Sequence, residues 1–161
     1  MINEIDAQIL NIIQNDGRVS NAEIARQVGM APSGVLERIR KLEARGVIRG
    51  YETRLDPKAL GLGVLAFIFV RVSEADAAER MVKTEERLMQ IPEAQEVHHI
   101  AGEDCYLVKV RAASTEDLGR LLKERIGTIE SVRATRTTIV LGTLKESAQL
   151  PLPEIAGDEK G

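Results

Sequence analysis

The chain has 161 residues, room for one ordinary domain or two small ones, and its 43% hydrophobic and 29% charged residues suit a soluble protein with a real core. No apolar run approaches the ~20 residues that span a bilayer, and Met1–Asp6 lacks the basic and apolar regions of a secretory signal. A single cysteine, Cys105, excludes an internal disulfide, so the expected setting is a reducing cytoplasm without membrane contact. The net charge of −3 argues against a nucleic-acid partner until its distribution is read. Residues 1–54 carry eight Lys/Arg against seven Asp/Glu, and the stretch Arg38–Arg54 carries six basic and two acidic residues. A focused patch of this kind meets phosphates while the remainder stays acidic. It is modest, so a DNA-binding protein of this sort is expected to use two or more copies.

Along the chain, Ile5–Asn15 is expected to be helical, with Ile5, Ile9, Ile12 and Ile13 on one face and Asp16-Gly17 as the stop. Ser20 caps a second helix at about 20–29, in which Glu23 is expected to reach back in a capping box and Ile24, Ala25 and Val28 form the apolar stripe. Gly29 ends it, since glycine takes the left-handed cap without steric cost. Pro32 suits the first turn of a third helix, running to about residue 45. That helix should bury Val35, Ile39 and Leu42 and leave Ser33, Glu37, Arg38, Arg40 and Lys41 for an outside partner. Two short helices joined by a glycine turn, the second rich in arginine, make a helix-turn-helix. Val47–Arg54 should be extended, Asp56-Pro57 a turn, and Gly61 and Gly63 a joint between segments.

From Val64 the pattern changes. Val64–Val72 is a continuous β-prone run, expected of a central strand covered on both faces or lying in an interface. Ser73 and Asp76 open a helix whose Ala78, Met81, Val82, Leu88 and Met89 should face inward, closed by Pro92. Glu96–Ile100 and Tyr106–Val110 read as a hairpin across residues 101–105. Ser114 and Asp117 cap a helix reaching about Ile126, with Leu118, Leu121, Leu122 and Ile126 apolar, and Arg133–Leu144 is a last long strand. The order is βαββαβ, and the fold class is α+β: an N-terminal helix-turn-helix followed by a ferredoxin-like domain. The expected division is 1–60 for DNA binding with a linker strand, 61–146 for dimerisation and effector binding, and 147–161 for a mobile tail. A small sheet with an open face leaves apolar surface to cover, so a homodimer is expected.

These features together resemble the Lrp/AsnC (feast/famine) family of transcription regulators. The residues that carry the likeness are Ile5–Leu10, the segment Arg38–Ile48, the strand Val47–Tyr51 with Leu55-Asp56-Pro57, and Thr137–Leu141. The resemblance covers roughly residues 2–146. It implies dimers, in many members assembled into octamers, that bind semi-palindromic double-stranded DNA and respond to a small molecule, usually an amino acid. DNA contact then falls to Asn21, Ser33, Gly34, Glu37, Arg38, Arg40 and Lys41, with Ser33 and Gly34 near base edges and Arg38, Arg40 and Lys41 expected on phosphates or, alternatively, also on guanines. Effector contact falls to Gly102, Glu103, Asp104, Cys105, Tyr106, Thr135 and Thr137. The chain departs from the family pattern in three places. Cys105 stands where the hairpin loop usually has aspartate, with Asp104 one residue early. Ala31 replaces the usual Ser or Thr cap, and Gly34 lies in the first turn of the recognition helix.

No cofactor, metal or catalytic centre is expected. His98 and His99 are adjacent strand residues that face opposite ways, no His or Cys pair has zinc-ligand spacing, and Cys105 lacks a local base. The alternative reading is a small-molecule-binding or metabolic ferredoxin-like protein whose helical N-terminus does not touch DNA. The basic cluster at 38–54 speaks against it.

Overall fold

The computed structural model describes residues 2–73 and 78–152 of the chain. It divides into two compact units, Met1–Arg54 with the segment from Lys145, and Leu55–Leu144.

The first unit is a cluster of three helices, α1 (Glu4–Asn15), α2 (Asn21–Val28) and α3 (Pro32–Ala44). Ile9, Ile24, Ala25, Val35 and Ile39 are buried at their junction, and Ile5, Ile12, Ile13, Val19, Val28, Met30 and Ile48 pack around them. Each fully buried aliphatic side chain contributes about 1.5–3 kcal/mol of transfer free energy. The helix starts differ in how they are finished. α1 carries a complete capping box, in which Asn3 Oδ1 accepts from the Asp6 N–H and Asp6 Oδ2 accepts from the Asn3 N–H. At α2 only half of the expected box forms: Ser20 Oγ accepts from the Glu23 N–H, but the Glu23 carboxylate holds Arg26 and Gln27 instead of reaching back. The Arg26 hydrogen bond, with that of Gln27, brings the Glu23 carboxyl down to about 2. Gly29 takes the left-handed conformation (φ 69°) and closes α2, its N–H donating to the Ala25 carbonyl. α3 starts at Ala31 without any side-chain cap. The stretch 47–54, expected to be extended, is irregular and pairs with no strand among the described residues. Beyond Lys145, Gln14 reads both backbone groups of Leu150, at 3.1 Å each, and Gln149 Nε2 donates to Asn15 Oδ1 at 2.8 Å.

The second unit contains β1 (Val64–Val72), α4 (Ala78–Met89), β2 (Ala94–His99), β3 (Tyr106–Ala112), α5 (Thr115–Leu121) continued by a π-helical turn (Leu122–Ile126), and β4 (Val132–Ile139). The strands order β2-β3-β1-β4, each neighbour antiparallel. This is the expected ferredoxin-like βαββαβ arrangement. One face of the sheet, through Ala66, Ile68, Val70, Val108 and Val110, packs on Leu88, Leu118, Leu121, Ile126 and Ile129. The other face carries Phe67, Phe69 and Leu107, all half-buried, and the Arg136 guanidinium lies 3.8 Å over the Phe69 ring. β1 is therefore central, but among the described residues only one of its faces is covered by helices.

Two expectations need correcting. The residues proposed to face inward from α4 include Val82 and Met89, yet these are 53% and 64% exposed. The inward ridge runs instead through Thr84 and Leu88, with Met81 partly buried. Thr84 earns its buried place by donating to the Arg80 carbonyl and bonding Ser131 Oγ at 2.6 Å, which hydropathy alone does not reveal. The side chain of Ala78 and the opening of α4 around Asp76 lie outside the described residues. The last strand, expected to reach Leu144, ends its ladder at Ile139, with a final bond from the Val140 N–H to the Leu65 carbonyl. β1 begins at Val64, the register position opposite Leu141, so residues 142–144 run past its end, and Leu141 and Leu144 are fully exposed.

Candidate DNA interface and effector loop

In the first unit, the turn between α2 and α3 is set by Gly29 and by the Met30 N–H bonding back to the Ala25 carbonyl. α3 then leaves with Val35, Ile39 and Leu42 buried, and helical spacing sends Ser33, Glu37, Arg40 and Lys41 to the opposite side, where all four are exposed. Arg40 makes no side-chain hydrogen bond or ion pair among the described residues. Neither do Arg45 and Arg49, two further exposed cations that the motif reading passed over because they lie at and beyond the end of the helix. Lys41 Nζ sits 2.6 Å from Glu37 Oε1, and this contact holds the Glu37 carboxyl below its usual range. An exposed pair of this kind is worth little and exchanges readily for a phosphate. Asn21 is partly buried in the first turn of α2.

Arg38 stands apart from the other predicted contacts. Its Nη1 lies 2.8 Å from Asp6 Oδ1 and 3.4 Å from Asn3 Oδ1, so the guanidinium is engaged by the first turn of α1. Beside it a hollow of about 310 Å³ is lined by Asp6, Met30, Gly34, Glu37, Arg38, Lys41, Leu42 and Arg45. Gly34 shapes its wall, since a Cβ there would stand 3.1 Å from Met30 Cε.

In the second unit, the β2–β3 hairpin loop is anchored by the Ile100 N–H to the Cys105 carbonyl and by the Cys105 N–H to the Val70 carbonyl. Gly102 holds φ at +130°, a backbone region that favours glycine, while a Cβ there would meet no atom within 4 Å. The loop carboxylates are paired. Arg71 Nη2 donates to Glu103 Oε2 at 3.2 Å and lies 3.7 Å from Asp104 Oδ1, and Arg136 Nη2 donates to Asp104 Oδ2 at 3.0 Å. Sequence reading missed both arginines. Their signal is strand alternation: Arg71 follows Phe67 and Phe69 on the open face of β1, and Arg136 is the cross-strand partner of Phe69.

The seven residues proposed for the effector have different surroundings in the chain. Asp104 pairs toward the arginines, whereas Cys105 and Tyr106 pack against the helix-side core. The buried Tyr106 donates to Glu85 Oε1 at 3.1 Å, and burial first, then Glu85, pushes its phenol up to about 12. Thr137 and Thr135 stand opposite Ile68 and Val70 on β4, Thr137 half-buried and Thr135 exposed. His98 bonds Glu96, while His99 stacks on Tyr106 with centroids 5.1 Å apart, so the two histidines do face apart. Among the described residues no group of three His, Cys, Asp or Glu could hold a metal, and no helix is long and apolar enough to cross a membrane.

Comparison with known proteins places both units. A family model described as the Lrp/AsnC ligand binding domain matches residues 65–150, and one described as a winged helix-turn-helix DNA-binding domain matches residues 2–49. An HTH-type transcriptional regulator FL11 from Pyrococcus horikoshii is 40% identical over 151 residues, covering 94% of this chain and 97% of that protein. The leucine-responsive regulatory protein of Escherichia coli K12 is 34% identical, covering 92% and 90%. Among solved structures, a feast or famine regulatory protein from M. tuberculosis complexed with L-methionine is 34% identical, with a TM-score of 0.85 over 93% of this chain and 99% of that one. A Neisseria meningitidis transcriptional regulator, also in complex with L-Met, has a TM-score of 0.88 at 26% identity, covering 94% and 97%. These relatives are transcription regulators, not enzymes, and the alternative of a metabolic protein with an idle helical N-terminus is set aside.

Proposed function

The chain belongs to the Lrp/AsnC family of helix-turn-helix transcription regulators, and from that premise we propose that it is a self-associating regulator whose effector is a zwitterionic amino acid bound at the Gly102–Tyr106 loop. One observation carries the reading of the loop: Arg71 and Arg136 meet Glu103 and Asp104 at one rim, so both signs of charge lie within a few ångströms of a glycine-shaped turn. An α-amino acid brings one carboxylate and one ammonium. By inserting between these pairs it exchanges exposed ion pairs, each worth little, for charge-assisted hydrogen bonds to a single ligand. The L-methionine complexes of two relatives support that ligand class.

Self-association is supported by the sheet. Phe67, Phe69 and Leu107 line a face that no helix of the described residues packs on, and the exposed Leu141 and Leu144 extend past the last paired residue. A dimer also doubles the number of α3 helices offered to DNA, which the modest charge of one copy requires. A regulator that reads double-stranded DNA works in the compartment that holds it, which supports the cytoplasm.

The test is calorimetric titration of the full chain with L-methionine and a panel of other amino acids. Each binding ligand is compared with its N-acetyl derivative and its decarboxylated amine. Binding by an amino acid but by neither derivative is expected, with loss of binding in Arg71→Ala and Arg136→Ala. Equal binding of the amine alone, or full affinity in both arginine variants, overturns the assignment of this loop.

A further inference from the structure

Arg38 lies on the basic helix, yet its geometry points inward. α3 buries Val35, Ile39 and Leu42, and at 100° per residue Arg38 falls on the flank beside that stripe, about 100° or more from Arg40 and Ser33. There its guanidinium enters the capping box of α1: Asp6 Oδ1 accepts from it at 2.8 Å while Asp6 Oδ2 accepts from the Asn3 N–H. The side chains are 30% exposed for Arg38 and 10% for Asp6, which separates this pair from the open Lys41–Glu37 and Arg26–Glu23 contacts. The charges are also matched to their place. An acid belongs at the positive end of a helix and a lone cation does not, so Asp6 makes the start of α1 a place where Arg38 is stable.

We propose that Arg38 is a positioning residue that fixes the recognition helix α3 against α1, and that Arg40, Lys41 and Arg45 supply the phosphate contacts. Asp6 neutralises Arg38 where it stands, so the guanidinium adds little to the field that phosphates experience. It does lock the angle at which α3 is presented, from a point one turn away from Gly34 and Ser33 at the front of the helix. The hollow beside it, lined by Met30, Gly34 and Leu42, leaves open space on that flank, and the ion pair ties α3 to α1 across it. The proposal rests on reading α3 as the DNA-facing helix, and the variants chosen below separate the two.

The experiment uses the full chain and a fluorescein-labelled duplex selected by the protein from a random-sequence pool. Anisotropy is read over a salt series for the parent, Arg38→Ala, Asp6→Ala, Asp6→Asn, the Arg38→Ala/Asp6→Ala double variant, and Arg40→Ala. Arg40→Ala should flatten the plot of log affinity against log salt by about one per phosphate lost. Arg38→Ala and Asp6→Ala should each weaken binding about ten-fold at a single salt with the slope unchanged, and the double variant should be no worse than either, as for two ends of one contact. Asp6→Asn keeps the cap acceptor and should fall between parent and Asp6→Ala, which guards against a helix that merely fails to start. A phosphate-binding Arg38 gives the opposite pattern. Removing Asp6 would then free a cation and remove an anion, so Asp6→Asn and Asp6→Ala would bind DNA more tightly, and Arg38→Ala would flatten the slope as Arg40→Ala does. Either result overturns the proposal. An unflattened slope in Arg40→Ala overturns the reading of α3 itself.

Discussion

The helical unit encloses its apolar residues within its first 48 positions, whereas the sheet unit covers only one of its two faces. In the first, three helices meet around Ile9, Ile24 and Val35, and among the exposed side chains Arg40, Arg45 and Arg49 stand without partners among the described residues. In the second, Ile68 and Val70 are fully buried under α4 and α5 while their neighbours Phe67 and Phe69 are left half-covered. The difference follows from geometry. A helix buries a stripe and can turn its polar side to water, but a central strand alternates and must send half of an apolar run to each face. A sequence as evenly hydrophobic as Val64–Val70 in a unit of this size therefore announces a second covering surface. The first unit buries its apolar stripe among its own helices, whereas the second leaves Phe67, Phe69 and Leu107 half-covered.

The largest expected effect tests whether the two units are energetically separate. Ile68→Ala removes a fully buried side chain at the centre of the sheet and should cost about 2–5 kcal/mol. Ile9→Ala should cost a similar amount in the helical unit. Hydrogen exchange read segment by segment should show Ile68→Ala losing protection in β1, β3 and β4 with α1–α3 unchanged, and Ile9→Ala the reverse. Equal loss in both units from either variant would break the comparison.

The covering surface is tested next. Phe67→Glu places a charge on the open face without touching the helix-side core, so it should leave the fold intact and move self-association to concentrations at least about 100-fold higher, the equivalent of about 2.7 kcal/mol. Sedimentation of the full chain over a concentration series measures it. A variant that associates as the parent does would show that the open face is not what the copies share.

How much of this was legible beforehand depended on how local the signal is. Gly29, Pro32 and the Val35-Ile39-Leu42 stripe act within a few residues, and they place α2 and α3 within a residue of where the sequence put them. The βαββαβ succession of elements was equally legible, from the change of hydrophobic period and the turn residues between them. Illegible were contacts made across the chain: Asp6 with Arg38, 32 positions apart, and Arg136 with Asp104, also 32 apart. A run of sequence shows that Arg38 is basic and that Asp6 starts a helix, but not that one uses the other. Thr84 escaped for the related reason that its burial depends on Ser131, 47 positions away.

Gly102→Ala sharpens the comparison at the loop. The backbone there sits at φ +130° with open space beyond it, so the cost is conformational and should be about 1–3 kcal/mol, confined to the sheet unit. Gly63→Ala is the control: it too meets nothing within 4 Å but lacks the unfavourable φ, so it should be neutral or slightly stabilising. Equal melting temperatures for the two variants would remove the special status of Gly102.

A smaller gain is available in the helical unit. Ala31 precedes Pro32 with no side-chain cap, so Ala31→Ser should supply an acceptor for an N–H in the first turn of α3 and raise stability by about 0.5–1 kcal/mol. Ser20→Ala, which removes the acceptor that caps α2, should lose a similar amount. Chemical denaturation resolves both, and an Ala31→Ser variant no more stable than the parent would mean that Pro32 already fixes the start of α3.

The last effect vanishes at neutral pH and appears only in alkali. Tyr106 is buried in the sheet unit, and burial together with the Glu85 carboxylate raises its phenol from 10.0 to about 12. The folded state therefore holds the proton more tightly than the unfolded chain, whose tyrosines titrate near 10. The stabilisation from keeping Tyr106 neutral is complete below about pH 10 and is lost as the pH rises toward 12. Comparing the parent with Tyr106→Phe isolates this, because Tyr51 and the lysines titrate in both proteins and cancel. The stability difference between them should stay constant up to pH 10 and then move against the parent, since phenylalanine has no proton to lose. Glu85→Gln should narrow that alkaline window only partly, because burial is the larger cause. A parent and a Tyr106→Phe variant that lose stability in parallel up to pH 12 would mean that the phenol is not held in the sheet unit's core as described.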